Sequence, residues 1–104
     1  RDHQAVTHRL ARMKLRLETS RALVHRAALE LDAGRRGHAE AALAKWHLGD
    51  SAVEQALDAM RIRGGEGFLQ TSGYGAGLAA AVGGTMHSGT ADVLANIVAG
   101  WLGV

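Results

Sequence analysis

Residues that could bind a ligand are concentrated in two glycine-centred segments in the second half of the chain. Residues 61–68 read Arg-Ile-Arg-Gly-Gly-Glu-Gly-Phe, and a second segment begins His-Ser-Gly-Thr at residue 87. Gly64 and Gly65 would let a ligand approach the backbone closely, because glycine has no Cβ. As a glycine cluster that follows a helix rather than a strand, however, the first segment predicts a turn and not a Rossmann phosphate loop.

Arg61 and Thr90 are the side chains in these segments best suited to an anion. Arg61 could donate charged hydrogen bonds to a phosphate, or it could simply lie exposed at a helix end, where its charge suits the helix dipole. Thr90 precedes a predicted helix, whose free N–H groups would favour an anion, and it also suits a plain N-cap. The two roles of Thr90 are compatible with each other.

Two long helices are predicted to position these segments. In each, apolar residues recur at alternating steps of four and three, which places one stripe on one helix face. The segment Gly-Arg-Arg-Gly at 34–37 should end the first helix, and the short connection makes the two helices antiparallel. The predicted stripes are Val6, Leu10, Met13, Leu17, Ser20, Val24, Ala27 and Leu31 in the first helix, and Leu43, Trp46, Val53, Leu57 and Met60 in the second.

Asp50 falls on the predicted stripe of the second helix, where an unpaired carboxylate would be costly to bury. We therefore expect a partner for it, either an arginine of the first helix or a backbone donor, in preference to a functional role. A short helix is predicted around 78–82, and a last helix should begin near Thr90. No segment alternates as a strand does, and proline is absent. The sequence thus predicts an all-α, up-and-down bundle of about four helices.

Composition limits the classes of function. The 104 residues suit one helical domain, 1–104, and because the chain starts at Arg1 within a helical pattern we expect a fragment of a larger protein. The absence of cysteine excludes disulfides, thiolate metal sites and a cysteine nucleophile. The six histidines lack metal-binding helix spacing, so no metal site is predicted. No signal peptide or run of ~20 apolar residues is present, so we expect a cytoplasmic protein without a membrane segment.

Charge is distributed unevenly along the chain. The arginine-rich first helix could touch nucleic acid or an anionic membrane, but its glutamates favour a solvated face or a subunit contact, and we expect no nucleic-acid partner. Beyond Glu66 the only charged side chain is Asp92. A long apolar tail of this kind should be covered, by this domain or by a neighbour.

The order and spacing of these segments resemble the C-terminal helical domain of an acyl-CoA dehydrogenase. That family usually has Gln-Ile-x-Gly-Gly-x-Gly-Phe/Tyr in place of residues 61–68, and Tyr-Glu-Gly-Thr before a helix in place of 87–90. The resemblance implies an FAD cofactor. It also implies that the family's FAD-contacting positions correspond here to Arg61, Gly64, Gly65, Gly89 and Thr90.

Ser88 is the main departure from the family pattern, because many members place the catalytic glutamate there. A serine hydroxyl is too weakly basic to remove a proton alpha to a thioester carbonyl unaided. His87 could act as a base, although packing or solvent contact is favoured for it. Some members carry the base on an earlier helix, which would retain activity. The family's Arg-Asp pair is also missing at 79–80 and its Gln-Arg pair at 94–95, as in a degenerate subunit.

What the resemblance implies overall is a FAD oxidoreductase that dehydrogenates an acyl thioester between its alpha and beta carbons. The thioester would be carried by CoA or by a carrier protein, and the enzyme would be a homo- or heterotetramer. This chain would contribute to the FAD site and the oligomer interface, and it would be inactive without the remaining dehydrogenase domains. Two alternatives stay open: a non-catalytic subunit of a heteromeric dehydrogenase, and a non-enzymatic helical interaction module.

Overall fold

Four α-helices make up the fold in the computed structural model, which describes residues 4–64, 69, 73–86 and 90–104. They are α1 (Gln4–Asp32), α2 (His38–Arg63), α3 (Tyr74–Gly84) and α4 (Ala91–Leu102). The described ranges contain no strand. The predicted all-α, four-helix fold is therefore confirmed, and the predicted short helix at 78–82 proves to be longer at both ends.

The turn between α1 and α2 depends on glycine, as the sequence indicated. Gly34 and Gly37 adopt φ angles of 78° and 67°, in the left-handed region that side chains with a Cβ disfavour. A Cβ on Gly37 would also lie 3.4 Å from the side chains of Glu30 and Leu31. The N–H of Arg35 donates to the carbonyl of Glu30 at 3.0 Å and closes the turn. As a result, α2 runs back along α1.

The central element is α2, which packs against each of the other three helices. Its buried residues are mostly small, so three neighbours can approach it closely. Lys45 Nζ donates to the carbonyl of Gly84 at the end of α3 at 3.1 Å. A Cβ on Gly49 would lie 3.5 Å from the methyl group of Thr85, an ordinary van der Waals contact. The buried residues of α2 are Ala39, Ala42, Ala44, Ser51, Asp58 and Met60.

The predicted stripe of α1 is only partly correct. Ser20 and Ala27 are buried, but the other row of the stripe is exposed. On an α-helix, the row that contains Ser20 and Ala27 has a neighbouring row on each side, and either of these could complete an apolar stripe. Arg16 lies in the opposite companion row and binds Gln55 and Asp58 of α2, so this polar contact selects the row that faces α2. The exposed row consists of Leu10, Leu17, Val24 and Leu31, with exposures of 52%, 42%, 45% and 57%.

Asp50 lies on the predicted stripe of α2 but is not buried. Asp50 is exposed, and the described part of the chain offers it no hydrogen bond or ion pair. It lines a groove between α2, the end of α3 and the start of α4, and it also borders a smaller pocket beside Leu23 of α1. The buried carboxylate that arginines of α1 do contact is Asp58, further along α2.

Defined caps bound the last helix. Thr90 is the N-cap of α4, and its hydroxyl oxygen accepts a hydrogen bond from the N–H of Val93 at 3.4 Å, as predicted. At the other end, Gly103 has φ 80°, and the N–H of Val104 donates to the carbonyl of Ala99 at 3.0 Å. None of the helices in the described ranges combines the length and the apolar character needed to span a bilayer.

Candidate functional site

The first glycine segment begins at the end of α2. Gly64 caps this helix with φ 63° and ψ −137°, and its N–H donates to the carbonyl of Arg61. Among the described residues, no heavy atom would lie within 4 Å of a Cβ placed on Gly64. That part of the chain therefore leaves the Gly64 backbone open to a ligand. Gly65, which the sequence analysis paired with it, lies outside the described residues.

Arg61 lies on the last turn of α2 and is partly engaged in an ion pair. Its Nη1 donates to Asp58 Oδ1 at 3.3 Å, while 48% of its side chain remains exposed. A guanidinium has five N–H donors in a fixed plane, so one contact to a carboxylate leaves donors for an anion. Both roles considered for Arg61, a helix-end cation and an anion ligand, remain compatible with this geometry.

Asp58 is the residue of this region that the sequence analysis missed. Its side chain is only 3% exposed, and three arginines surround it. Arg16 Nη1 donates to Oδ2 at 2.7 Å, Arg9 Nε lies 3.7 Å from Oδ1, and Arg61 also binds Oδ1. The signal was present in the sequence, since Asp58 and Arg61 are three residues apart on one helix and so share a face. We call these four residues the Asp58 cluster.

The electrostatics of the Asp58 cluster keep its carboxylate ionised. Burial alone would raise the pKa of Asp58, but the hydrogen bonds and positive charges of Arg16 and Arg61 outweigh that effect and lower the pKa. Asp58 is thus unsuited to serve as a general base, because a catalytic carboxylate needs a pKa nearer to the working pH. The geometry suits it instead to fixing the arginine side chains around it.

The end of α2 is anchored on two sides. Toward α1, Gln55 accepts from Arg16 Nη1 at 3.0 Å and donates to the carbonyl of Met13 at 2.9 Å. Toward α3, the guanidinium of Arg63 lies 5.7 Å from the centre of the Tyr74 ring, within the range of a cation–π contact. The two ends of the segment that contains the glycines are therefore held by packed helices.

The second glycine segment ends at the N-terminus of α4. The first residues of α4 border a groove of about 620 Å³. By position, the N–H groups of Ala91 and Asp92 lack a partner within the helix. Three carboxylates border this groove, so an anion there would meet negative charge as well as N–H donors. The lining residues are Asp50, Val53, Glu54, Val82, Thr85, Met86, Thr90, Ala91 and Asp92.

The structure does not bring Arg61 and Thr90 together. Thr90 adjoins α2 near Asp50 and Glu54, which lie about 15 to 21 Å before Gly64 along the helix, given a rise of 1.5 Å per residue. The two segments would therefore contact different parts of an extended ligand, or different ligands. Ser88 and Gly89, the other predicted site residues, lie outside the described residues.

Comparison with known proteins identifies the family. Residues 1–103 match the family model for the acyl-CoA dehydrogenase C-terminal domain. An L-prolyl-[peptidyl-carrier protein] dehydrogenase from Pseudomonas fluorescens is 44% identical over 98 residues, which cover 94% of this chain and 26% of the relative. A protein of the same name from Serratia sp. is 35% identical over 101 residues, covering 97% of this chain and 26% of that relative.

Solved structures agree with the sequence comparison. The FAD complex of PigA superposes with a TM-score of 0.91 at 35% identity, over 96% of this chain and 26% of that one. The prolyl acyl carrier protein oxidase AnaB superposes with a TM-score of 0.93 at 29% identity, over 97% and 27%. The chain thus spans about a quarter of the length of these relatives. It belongs to the acyl-CoA dehydrogenase family and corresponds to that family's C-terminal helical domain.

Proposed function

We propose that this chain is the C-terminal domain of a FAD-dependent dehydrogenase that acts on a prolyl thioester held by a peptidyl-carrier protein. The observation that carries this proposal is the 44% identity, across nearly the whole chain, to a relative named for that activity. A second relative with the same name, from another organism, supports the choice of a carrier-bound prolyl group over a fatty acyl-CoA.

The described residues fit an FAD cofactor at the end of α2. Within the described ranges nothing obstructs the backbone of Gly64, and Arg61 offers charged donors suited to a pyrophosphate. Gly65, Gly89 and Thr90 complete the proposed contacts. FAD, when bound, would accept a hydride from the beta carbon of the substrate. Within this chain, the contribution is to bind and orient the cofactor.

We further propose that the catalytic base lies on another domain of the protein. Removal of the alpha proton requires a group far more basic than the Ser88 hydroxyl. Asp58 is buried and bound by arginines, so it is unavailable for proton transfer. A carboxylate on an earlier helix would take the alpha proton while the beta hydrogen leaves as hydride and the carbon–carbon double bond forms.

The test is an absorbance spectrum of the full-length protein, recorded before and after addition of a prolyl-loaded carrier protein. We expect a flavin band near ~450 nm that bleaches with the prolyl carrier protein, because the reduced cofactor loses this band. The same carrier protein loaded with an acetyl group, and a panel of acyl-CoA thioesters, are the matched controls. If an acyl-CoA bleaches the flavin band and the prolyl carrier protein does not, the proposal of a carrier-bound substrate is overturned.

Ser88 favours one alternative, a non-catalytic subunit of a heteromeric dehydrogenase. A flavin band that no thioester bleaches, but that bleaches once a second subunit is added, would establish this alternative. A protein with no flavin at all would instead support the non-enzymatic interaction module. Ser88→Glu serves as a further probe if the protein binds flavin but is inactive. If this variant gains no exchange of the substrate's alpha proton, the missing glutamate at position 88 is not the sole defect.

We propose that the exposed leucine row of α1 is buried in a homotetramer. Leu10, Leu17, Val24 and Leu31 recur every seven residues, a repeat suited to packing along another helix. Their exposures of 42% to 57% would leave a continuous apolar strip in water if nothing covered them. Leu17→Glu should reduce the mass measured by light scattering. The exposed substitution Glu18→Gln should not change it.

A further inference from the structure

We infer that Asp58 is a positioning residue of the proposed flavin site, which fixes the guanidinium of Arg61 where it meets the pyrophosphate of FAD. The inference rests on the proposed function, because Arg61 contacts FAD only if the protein is a flavoprotein. Asp58 itself would not touch the cofactor. It would act through Arg61.

The carboxylate of Asp58 joins two helices through its two oxygens. Oδ2 accepts from Arg16 of α1 at 2.7 Å, and Oδ1 accepts from Arg61 on the last turn of α2 at 3.3 Å. Arg9 of α1 adds its charge at 3.7 Å from Oδ1. Because Asp58 is 3% exposed and held from α1, it presents a fixed oxygen to Arg61.

A fixed Arg61 matters because this side chain is half exposed. A long arginine in water samples many rotamers, and ordering it on ligand binding weakens the affinity. The contact with Asp58 orders part of the side chain before FAD arrives. The carbonyl of Arg61 also accepts from the N–H of Gly64, so the same helical turn sets the backbone that approaches the cofactor.

The positioning role and simple electrostatics predict opposite effects of neutralising Asp58 on the affinity for FAD. Asp58 carries a negative charge near a site for an anion, so its neutralisation alone should tighten FAD binding. If Asp58 instead positions Arg61, its neutralisation frees the guanidinium and weakens FAD binding. Asp58→Asn distinguishes the two, because asparagine has nearly the same shape as aspartate and no charge.

The experiment is a double-mutant cycle on the full-length protein, with the FAD Kd measured by flavin fluorescence on the apoprotein. We expect Arg61→Met to raise the Kd about tenfold, the size of one charge-assisted hydrogen bond. Asp58→Asn should raise it by roughly threefold to tenfold, and the double variant should match Arg61→Met alone. Salt should weaken FAD binding by the wild type more than by Arg61→Met, since this variant lacks the exposed charge that salt screens.

Gln55→Leu is the matched structural control. Gln55 binds Arg16 and the carbonyl of Met13, so its loss loosens the same junction between α1 and α2. We expect Gln55→Leu to lower the melting temperature while leaving the FAD Kd and its salt dependence unchanged. If Gln55→Leu and Asp58→Asn weaken FAD binding alike, Asp58 is merely structural, and the inference is overturned.

Three further outcomes would overturn the inference: tighter FAD binding by Asp58→Asn, additive effects in the double variant, or an unchanged Kd in Arg61→Met. If Asp58→Asn does not fold, Asp58→Glu replaces it in the cycle, with weaker FAD binding expected only where Arg61 is present. A wild-type protein that binds no FAD would refute the proposed function and this inference together. Wild-type binding with additive variants would refute the inference alone.

Discussion

Replacing Asp58 by alanine should destabilise the packing of α1 on α2 by about 3 kcal/mol. The main loss is the 2.7 Å bond from Arg16, whose side chain is 19% exposed and would keep its charge without this partner. A hydrogen bond to a charged group contributes about 1.5–3 kcal/mol. Arg9, the other α1 residue near Asp58, is 31% exposed, so its contact adds up to ~1 kcal/mol. The contact with Arg61 lies within α2 and does not join the two helices.

Native-state hydrogen exchange on the full-length protein, read by mass spectrometry on peptides from α1 and α2, measures this local opening energy. A loss of about 3 kcal/mol corresponds to roughly hundredfold faster exchange of the most protected amides. Glu18→Gln is the matched control: it also removes one negative charge, but from an exposed pair with Lys14. Equal exchange in Asp58→Ala and Glu18→Gln would refute the stabilising role of the Asp58 cluster.

Further predictions concern glycines, the cap of α4 and pH. Gly49→Ala should stabilise α2 by about 0.5–1 kcal/mol, because the new methyl group fits and alanine favours a helix, whereas Gly37→Ala should lower the melting temperature, because of its positive φ. Thr90→Ala should destabilise α4 by ~1 kcal/mol, measured by exchange of its first-turn amides. Folding lowers the pKa of Asp58, so the contribution of Asp58 to folding stability should be full above the unfolded pKa of about 3.9. This contribution should be lost as the pH falls through the folded pKa. Acid titration followed by circular dichroism should show that Asp58→Asn shifts the acid unfolding transition.

The helices and their ends could be predicted from the sequence because local chemistry determines them. Gly34 follows the end of α1 and Gly37 is the N-cap of α2, both with positive φ angles, and Thr90 caps α4 with its own hydroxyl. The orientation of α1 could not be predicted in the same way. Its sequence contains two rows of residues that could face α2, and the choice depends on Asp58, a residue far away in the chain. A rule that places leucine inside and arginine outside selects the wrong row.

For the candidate site, the sequence predicted which residues take part but not what surrounds them. The glycine segment and Arg61 were recognised from their order, but their surroundings depend on tertiary contacts such as the ion pair to Asp58. Asp50 shows the same limit from the other side. It was expected to have a partner, either an arginine of α1 or a backbone donor, yet α2 is surrounded by three helices, so a carboxylate on its apolar stripe can line a groove instead.

The packing of this chain explains why its function should belong to an assembly. Its buried apolar residues are mainly alanines, and within the described ranges no large side chain is less than 2% exposed. Trp101 and Leu102 of α4 are 53% and 65% exposed, and the leucine row of α1 is similarly uncovered. Burial of apolar surface is the main source of stability, so a domain with so little of its own gains it by contact with neighbours. We expect a neighbour that covers the end of α2 to place the proposed flavin site at a junction, where cofactor binding and assembly stabilise each other.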